Sequence, residues 1–301
     1  MNFHTFELSY KLSNDDVRII YNELYNASGQ NYKPKDDCAV FKALQDYGII
    51  IFIKKYKQDE YNHHVLYYRV NPRRVLENHN YIGIFNSKNI DKLIKKFNIL
   101  IKTVSPFLPE FDSCNISRID YCSNVELNDQ AVIDSYINLL KRGYFPSKYT
   151  IKKYKNEKSK RNTLSKNGIT ITGNNGIEVT YYNKYRQLKE KNPKCRYIDN
   201  SKKIIRIEIR CFKKKVRHLT KKFKCTSASS FLKESDIIGK YIFKHYANIF
   251  YGTGDFYKLT DIYAMIDKSS CKKKSKKLMK ELVKSSATHS SLDRAFDILN
   301  F

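Results

Sequence analysis

The sequence predicts an α+β fold: a mixed, largely antiparallel sheet flanked by helices over residues 1–225, then a small, basic, helical domain at 226–301. Two features predict it. As far as Phe212, runs of alternating or β-branched apolar residues are interleaved with stretches of helical spacing, and beyond residue 225 only the helical spacing continues. With 301 residues, 41% of them hydrophobic, the chain has enough apolar material for a core of its own.

The strand pattern begins at Tyr47. Residues 47–56 (Y-G-I-I-I-F-I-K-K-Y) and 61–71 (Y-N-H-H-V-L-Y-Y-R-V-N) are apolar, β-branched runs joined by a short polar link, which predicts a hairpin. Ile90, Leu93, Ile94, Phe97, Leu100, Ile101 and Val104 then recur at helical spacing, with Asn86 or Ser87 as cap and Pro106 as stop. Residues 116–125 predict a strand, and 128–142 a helix that turns Val132, Ile133, Tyr136, Ile137 and Leu140 inward. The stretch 152–166 is nearly all polar and basic, the composition of a mobile loop. G-N-N-G at 173–176 joins I-T-I-T to I-E-V-T-Y-Y-N as a second hairpin, because glycine and asparagine tolerate positive φ. After a polar connection at 188–202, residues 203–212 (K-I-I-R-I-E-I-R-C-F) alternate strictly. The helical remainder divides into a basic run at 213–224, one helix at 229–250, a break at G-T-G-D 252–255, and short helices near 260–268, 272–284 and 289–299.

Lys and Arg number 57 against 30 Asp and Glu, a formal charge of +27. A field of that sign draws in polyanions, so nucleic acid is the expected partner. AT-rich coding also enriches lysine, but it would supply Asp and Glu as well, and these are scarce. The seven cysteines, at 38, 114, 122, 195, 211, 225 and 271, form no C-x-x-C pair, which predicts reduced thiols in a cytoplasm and neither a disulfide framework nor a zinc site. The N-terminal residues lack a signal peptide's basic and apolar regions, and no apolar run is long enough to span a bilayer, so no membrane role is expected. G-x-x-x-x-G-K-[ST] is missing, which argues against ATP-driven unwinding by this chain.

Side chains alternate between the faces of a strand. In 204–210 this sets Ile205, Ile207 and Ile209 against Arg206, Glu208 and Arg210; in 116–122 it sets Ile119 and Tyr121 against Arg118, Asp120 and Cys122. In 177–184 it sets Val179 and Tyr181 against Glu178, Thr180, Tyr182 and Lys184. If the three strands are neighbours, one face gathers Asp120, Glu208 and Glu178, which as oxygen donors suit Mg²⁺ or Mn²⁺. Tyr182 and Lys184 share that face, and a phenol with a free pKa of about 10 needs a base or a cation beside it to act as a nucleophile. A strand with one wet, charged face is also an ordinary surface strand. His63 and His64 are adjacent and so point to opposite faces; His64 is a candidate third ligand, and the remaining histidines, 4, 79, 218, 245 and 289, show no ligand spacing.

R-I-D-Y at 118–121, E-V-T-Y-Y-N-K at 178–184 and R-I-E-I-R at 206–210 resemble, in that order, the replication initiation factor family, the trans-acting initiators of rolling-circle plasmids and related filamentous-phage-like replication proteins. V-N-P-R-R at 70–74 and G-T-G-D-F-Y-K at 252–258 extend the resemblance over most of residues 60–265. The resemblance implies a DNA strand transferase whose tyrosine nicks and rejoins single-stranded or hairpin origin DNA through a 5′-phosphotyrosine. It implies Tyr182 as nucleophile, with Tyr181 and Tyr185 as competitors and Tyr181 expected in the core, Lys184 beside it, and Asp120 and Glu208 as ligands of a divalent metal. DNA contacts are expected from Arg118, Arg206, Arg210, Lys152, Lys153, Lys213, Lys214 and Lys215. Residues 1–225 would then be the nicking and DNA-binding domain and 226–301 an origin-binding one, with a host helicase and polymerase as partners and a homodimer in the plasmid branch. A mobilisation relaxase with the same chemistry, and a DNA-binding copy-control protein without catalysis, stay open as alternatives.

Overall fold

A computed structural model describes residues 2–28, 33–35, 37–58, 61–77, 84–85, 87–127, 129–142, 148–155, 162–163, 165, 167–193, 198–247, 266–267 and 272–287. Ten strands form one antiparallel sheet in the order β2-β3-β4-β5-β1-β6-β12-β11-β10-β7. They are β1 (Asn2–Leu12), β2 (Lys33–Lys35), β3 (Cys38–Phe41), β4 (Ile49–Gln58), β5 (Tyr61–Val70), β6 (Asn115–Glu126), β7 (Tyr149–Ile151), β10 (Gly168–Gly173), β11 (Ile177–Asn183) and β12 (Ile204–Phe212). A separate pair, β8 (Tyr154–Lys155) and β9 (Asn162–Thr163), folds part of the stretch expected as a loop, of which 156–161, 164 and 166 lie outside the described residues. The fold is α+β, as the alternating patterns predict.

The sheet is built from two like halves that meet at the antiparallel β1–β6 pair. Each half runs strand, helix, then a meander whose last strand returns beside the first: β1, α1 (Asn14–Ser28) and β2 to β5 in one, β6, α4 (Gln130–Arg142), β7 and β10 to β12 in the other. The β10–β11 hairpin turns where G-N-N-G predicts it, through the three residues Asn174, Asn175 and Gly176 between the paired Gly173 and Ile177, with Gly176 at φ +77°, a conformation that glycine adopts without a Cβ clash.

One face of this sheet is the core. Phe6, Leu8, Leu66, Tyr68, Ile119, Tyr121, Val179, Tyr181, Ile207 and Ile209 bury there against helices. The helices supply Ile20 and Leu24 from α1, Leu93, Phe97 and Ile101 from α3 (Ile90–Val104), and Val216 and Leu219 from α6 (Lys213–Lys222). The helix expected at 229–250 is two, α7 (Ala228–Lys233) and α8 (Ser235–Tyr246), and both bury side chains in the same core. The expected boundary near 225 thus falls between α6 and α7, with members of one apolar cluster on either side of it. A further helix, α9 (Lys273–Ala287), matches the one expected at 272–284; those expected near 260–268 and 289–299, and the G-T-G-D break, lie almost wholly outside the described residues. No helix among the described residues is long and apolar enough to cross a membrane.

Two elements differ from the sequence expectation in ways that shape the polar face. The N-terminal residues form β1, a central strand, although the expected elements began at Tyr47. Its register against β6 shifts between Phe3 and Thr5, so His4 sits in a bulge that breaks the alternation of Phe3, Phe6 and Leu8. Lys184, expected to continue β11, instead opens a helix, α5 (Lys184–Lys191). Asn183 causes the switch: its side chain accepts the Arg186 backbone N–H at 3.0 Å, while its amide donates to Gln130 at 2.7 Å and Asp134 at 3.3 Å. Asn183→Ala is expected to cost about 1–2 kcal/mol, read as a lower urea midpoint with an unchanged m-value.

Candidate active site

The three strands whose polar rows carry Asp120, Glu178 and Glu208 are neighbours, in the order β6-β12-β11. The register sets Arg210 of β12 opposite Asp120 on one side and opposite Glu178 on the other, and sets Tyr182 opposite Arg206. The face read from alternation is therefore assembled, and its side chains converge.

Arg210 is the hub. Its Nε donates to Asp120 Oδ1 at 3.3 Å, one Nη donates to Glu178, and the other donates to Glu208 Oε1 at 2.9 Å. Arg118 grips Asp120 with two hydrogen bonds, Nε to Oδ1 at 2.8 Å and Nη2 to Oδ2 at 2.6 Å, and reaches Glu7 Oε1 on β1 at 3.2 Å. Arg69 donates to the same Glu7 oxygen at 2.7 Å, and Lys152 reaches Glu178 at 2.9 Å. Asp120 is 2% exposed and Glu178 4%, so these charges are held out of water and require their partners. Burial drives the Asp120 carboxyl upward against the pull of Arg118 and Arg210.

Tyr182 lies at the side of this network, 8% exposed, and its hydroxyl donates to Glu208 Oε2 at 3.2 Å. Burial, with Glu208 next in effect, raises its phenol well above the ordinary value, while Arg206 pulls the other way. Its strand neighbour opposite is Gly168, where an added Cβ would press on the Tyr181 carbonyl and come 2.7 Å from Tyr182 Cβ; the missing side chain is what lets the two strands close around Tyr182. Lys184, placed by the first turn of α5, is buried with its Nζ 5.9 Å from the Tyr182 ring centre. Desolvation, then Arg206, lowers its ammonium to about 7. His4, raised by the β1 bulge, is held neutral by burial and by Arg206 and Lys184, its pKa lowered to about 3.

The competing tyrosines are separated by geometry. Tyr181 points into the core and donates to the Ala247 carbonyl at 2.7 Å; Tyr185 stands on α5 beneath Lys202. His64 lies on the core-facing row of β5, paired with Leu12, and so on the opposite sheet face from Asp120 and Glu208. That placement removes it as a ligand beside them.

The three carboxylates expected to hold Mg²⁺ or Mn²⁺ do converge, but on a guanidinium. Arg210 takes the position between them, and among the described residues no group of three His, Cys, Asp or Glu side chains is arranged to hold a metal ion. As arranged the set does not fit a divalent cation, and no chemical step below is routed through one.

The cations expected on DNA divide into two groups. Arg206 is fully buried, its Nε bonded to Asn124 at 2.8 Å, and Arg118 and Arg210 are committed to carboxylates. Lys215 is also inside: its Nζ bonds Tyr246 Oη at 2.8 Å, 4.9 Å above that ring. Burial of a helix position that faces the core, rather than charge, decides its role. Lys153, Lys213 and Lys214 are exposed, and Lys152 is exposed while bonded to Glu178. Sequence reasoning missed His4, Glu7, Arg69 and Asn124. Alternation along F-E-L-S-Y at 6–10 was the available signal for Glu7.

A buried lysine titrating near 7 makes stability depend on pH. Below pH 7 the folded and unfolded states both carry the proton and the cost of burying the ammonium is complete. Between about 7 and 10.5 the folded state has released the proton and the unfolded state has not, so the cost fades as pH rises. Lys184→Met is therefore expected to stabilise the fold by a few kcal/mol near pH 6 and by almost nothing above about pH 10.5. Thermal melts across that range measure it; a stability difference flat with pH would show that the ammonium is solvated.

No family model and no curated protein matches the chain. A solved rolling circle replication initiator protein from Geobacillus stearothermophilus is similar at 15% identity over 73% of this chain and 77% of that one, with a TM-score of 0.33. A likeness at that level carries no argument about this site, which stands on its own side chains.

Proposed function

We propose that the chain is a DNA strand transferase that initiates rolling-circle replication. Tyr182 attacks a phosphodiester of single-stranded origin DNA and holds the 5′-phosphate until rejoining. The observation that supports this most is the hydrogen bond from Tyr182 Oη to the Glu208 carboxylate at 3.2 Å, beside a buried lysine with a pKa near 7.

The residues balance the chemistry. Glu208 Oε2, already accepting the phenol proton, takes it as Oη bonds to phosphorus and the bond to the 3′-oxygen breaks. The leaving 3′-oxygen takes its proton from the Lys184 ammonium, which is about half populated near neutral pH. Arg206, beside Tyr182 in register, stabilises negative charge on the phenolate and phosphoryl oxygens. Rejoining is the reverse. Glu178 and Asp120 are not asked to react; with Arg118 and Arg210 they fix Glu208. A Mg²⁺ or Mn²⁺ requirement is a separate proposal, since the ion would enter among Asp120, Glu178 and Glu208 only as Arg210 leaves.

The test is a denaturing gel of the protein with Mn²⁺ and end-labelled single-stranded DNA from its own replicon's origin. A slow, protease-sensitive band supports strand transfer. Gel-shift binding without that band would make the chain a non-catalytic DNA-binding protein, and an adduct formed only on a transfer origin would make it a relaxase.

A further inference from the structure

A groove of about 650 Å³ lies at the end of the sheet beyond the last residues of β12, between the C-terminal part of β1 and α6. Lys213, Arg217 and Lys221 line it from α6, Lys11 faces them from β1, and Ser9 and Ser227 add hydroxyls. Among the described residues no aspartate or glutamate lines it.

The charge pattern is the reverse of the active site's. There, Arg118 and Arg210 are bound to carboxylates and Arg206 to Asn124. Here Lys11, Lys213, Arg217 and Lys221 are exposed, and among the described residues none is held by a carboxylate. Lys213, Arg217 and Lys221 recur every four residues, which stacks three like charges on one helix face and costs a few tenths of a kcal/mol per pair. A helix that keeps such a stripe opposite a fourth cation gains from a polyanion laid between them.

The groove is also connected to Tyr182's side of the sheet. Ser9 and Lys11 continue the row of Glu7, and Glu7 bonds Arg118; Glu7 and Lys11, four residues apart, are separated by about 13 Å along the strand. Phe212 stands between the two places, 38% exposed, with the Arg118 guanidinium 5.9 Å from its ring centre, an aromatic surface on which a base can stack. The volume falls in the range of roughly 300–1,000 Å³ that encloses a small ligand or a short piece of one strand. A duplex, whose major groove alone is about 12 Å wide, would lie across such a groove instead of within it.

We propose that this groove binds the phosphodiester backbone of single-stranded DNA that flanks the nick, and so feeds the strand toward Tyr182. The proposal rests on the strand-transferase reading for the identity of the strand, and on the unpaired cations for the binding.

The test measures fluorescence anisotropy of a labelled single-stranded oligonucleotide, across salt, with four proteins. The double variant Arg217→Ala with Lys221→Ala is expected to bind about tenfold more weakly or worse. Its salt slope should fall by about 1.4, at roughly 0.7 per released phosphate contact on a single strand. Tyr185→Phe, away from the groove and from the network around Tyr182, should bind as the unmodified protein does. Lys92→Ala with Lys95→Ala, an equal charge change on the exposed side of α3, should stay within twofold. An equal loss in the α3 variant would reduce the effect to net charge and overturn the proposal, as would an unchanged slope in the groove variant. A labelled duplex that loses as much affinity as the single strand would overturn the strand assignment. Loss of binding in the groove variant without any covalent adduct from the unmodified protein would sink the strand-transfer reading and leave the groove standing; an adduct with unchanged binding would do the opposite.

Discussion

Tyr182→Phe is expected to abolish the covalent DNA adduct and to reduce nicking by at least about 10³-fold, the scale of effect when a nucleophile is removed, while single-strand binding persists. The structure makes this substitution clean. The phenol ring packs between β10 and β12 and stays in place as phenylalanine; what is lost is the hydrogen bond to Glu208, whose other oxygen keeps Arg210, and the one with Arg206. The stability cost should be about 1 kcal/mol, so a folded, DNA-binding, inactive protein is the predicted outcome. Two controls separate chemistry from packing. Tyr181→Phe leaves the Ala247 carbonyl without its donor in the core, which costs about 1–3 kcal/mol but leaves the adduct. Tyr185→Phe, outside the network, should change neither. Persistence of the adduct in Tyr182→Phe would move the nucleophile elsewhere and remove the main support for the proposed function.

Alternation carried far in this sequence because the polar and apolar rows of β6, β11 and β12 each belong to a sheet with one buried core face. Asp120, Glu178, Glu208 and Tyr182 could therefore be assigned to one side before their neighbours were known, and Tyr181 to the other. What alternation could not show is what fills the space between like charges. Arg210 reads as one more cation on a charged strand, and its role as the bond between three carboxylates appears only when β6 and β11 are known to flank it. The period of β11 in the sequence reaches Lys184, but Asn183, a strong helix cap, ends the strand one residue earlier. His4 shows no ligand spacing in the sequence, and a bulge re-aims a residue without leaving a mark in the pattern. Lys215 shows the same limit among the basic residues: a run of lysines looks uniformly wet until the helix's inward positions are known, and Tyr246 then gives that ammonium a partner.

The two halves of the sheet sharpen the expectation for Arg210. In one half Glu7 of β1 is registered with Arg69 of β5; in the other Asp120 of β6 is registered with Arg210 of β12. Both first strands thus offer a carboxylate to an arginine on the returning strand, but the second pair is the drier one, with Arg210 25% and Asp120 3% exposed against 44% for Arg69 and 11% for Glu7. Arg210→Met should therefore leave Asp120, Glu178 and Glu208 short of positive charge in a buried place and cost about 3–5 kcal/mol, against at most about 1 kcal/mol for Lys152→Met, since that lysine is 44% exposed and Glu178 keeps Arg210. The pH dependence follows from the same charges. Without the guanidinium the Asp120 carboxyl, already driven upward by burial, rises further above its unfolded value, so the folded variant binds an extra proton and its deficit should be largest at neutral pH and shrink as pH falls toward about 4. The vacated position also decides the metal proposal. If the three carboxylates suit a hard cation, millimolar Mn²⁺ should raise the melting temperature of Arg210→Met by several degrees and leave that of Arg210→Met with Glu178→Gln nearly unchanged. Melting of Arg210→Met that ignores both Mn²⁺ and Mg²⁺ would show that the network exists to fix Glu208 beside Tyr182, with the guanidinium as its permanent cation.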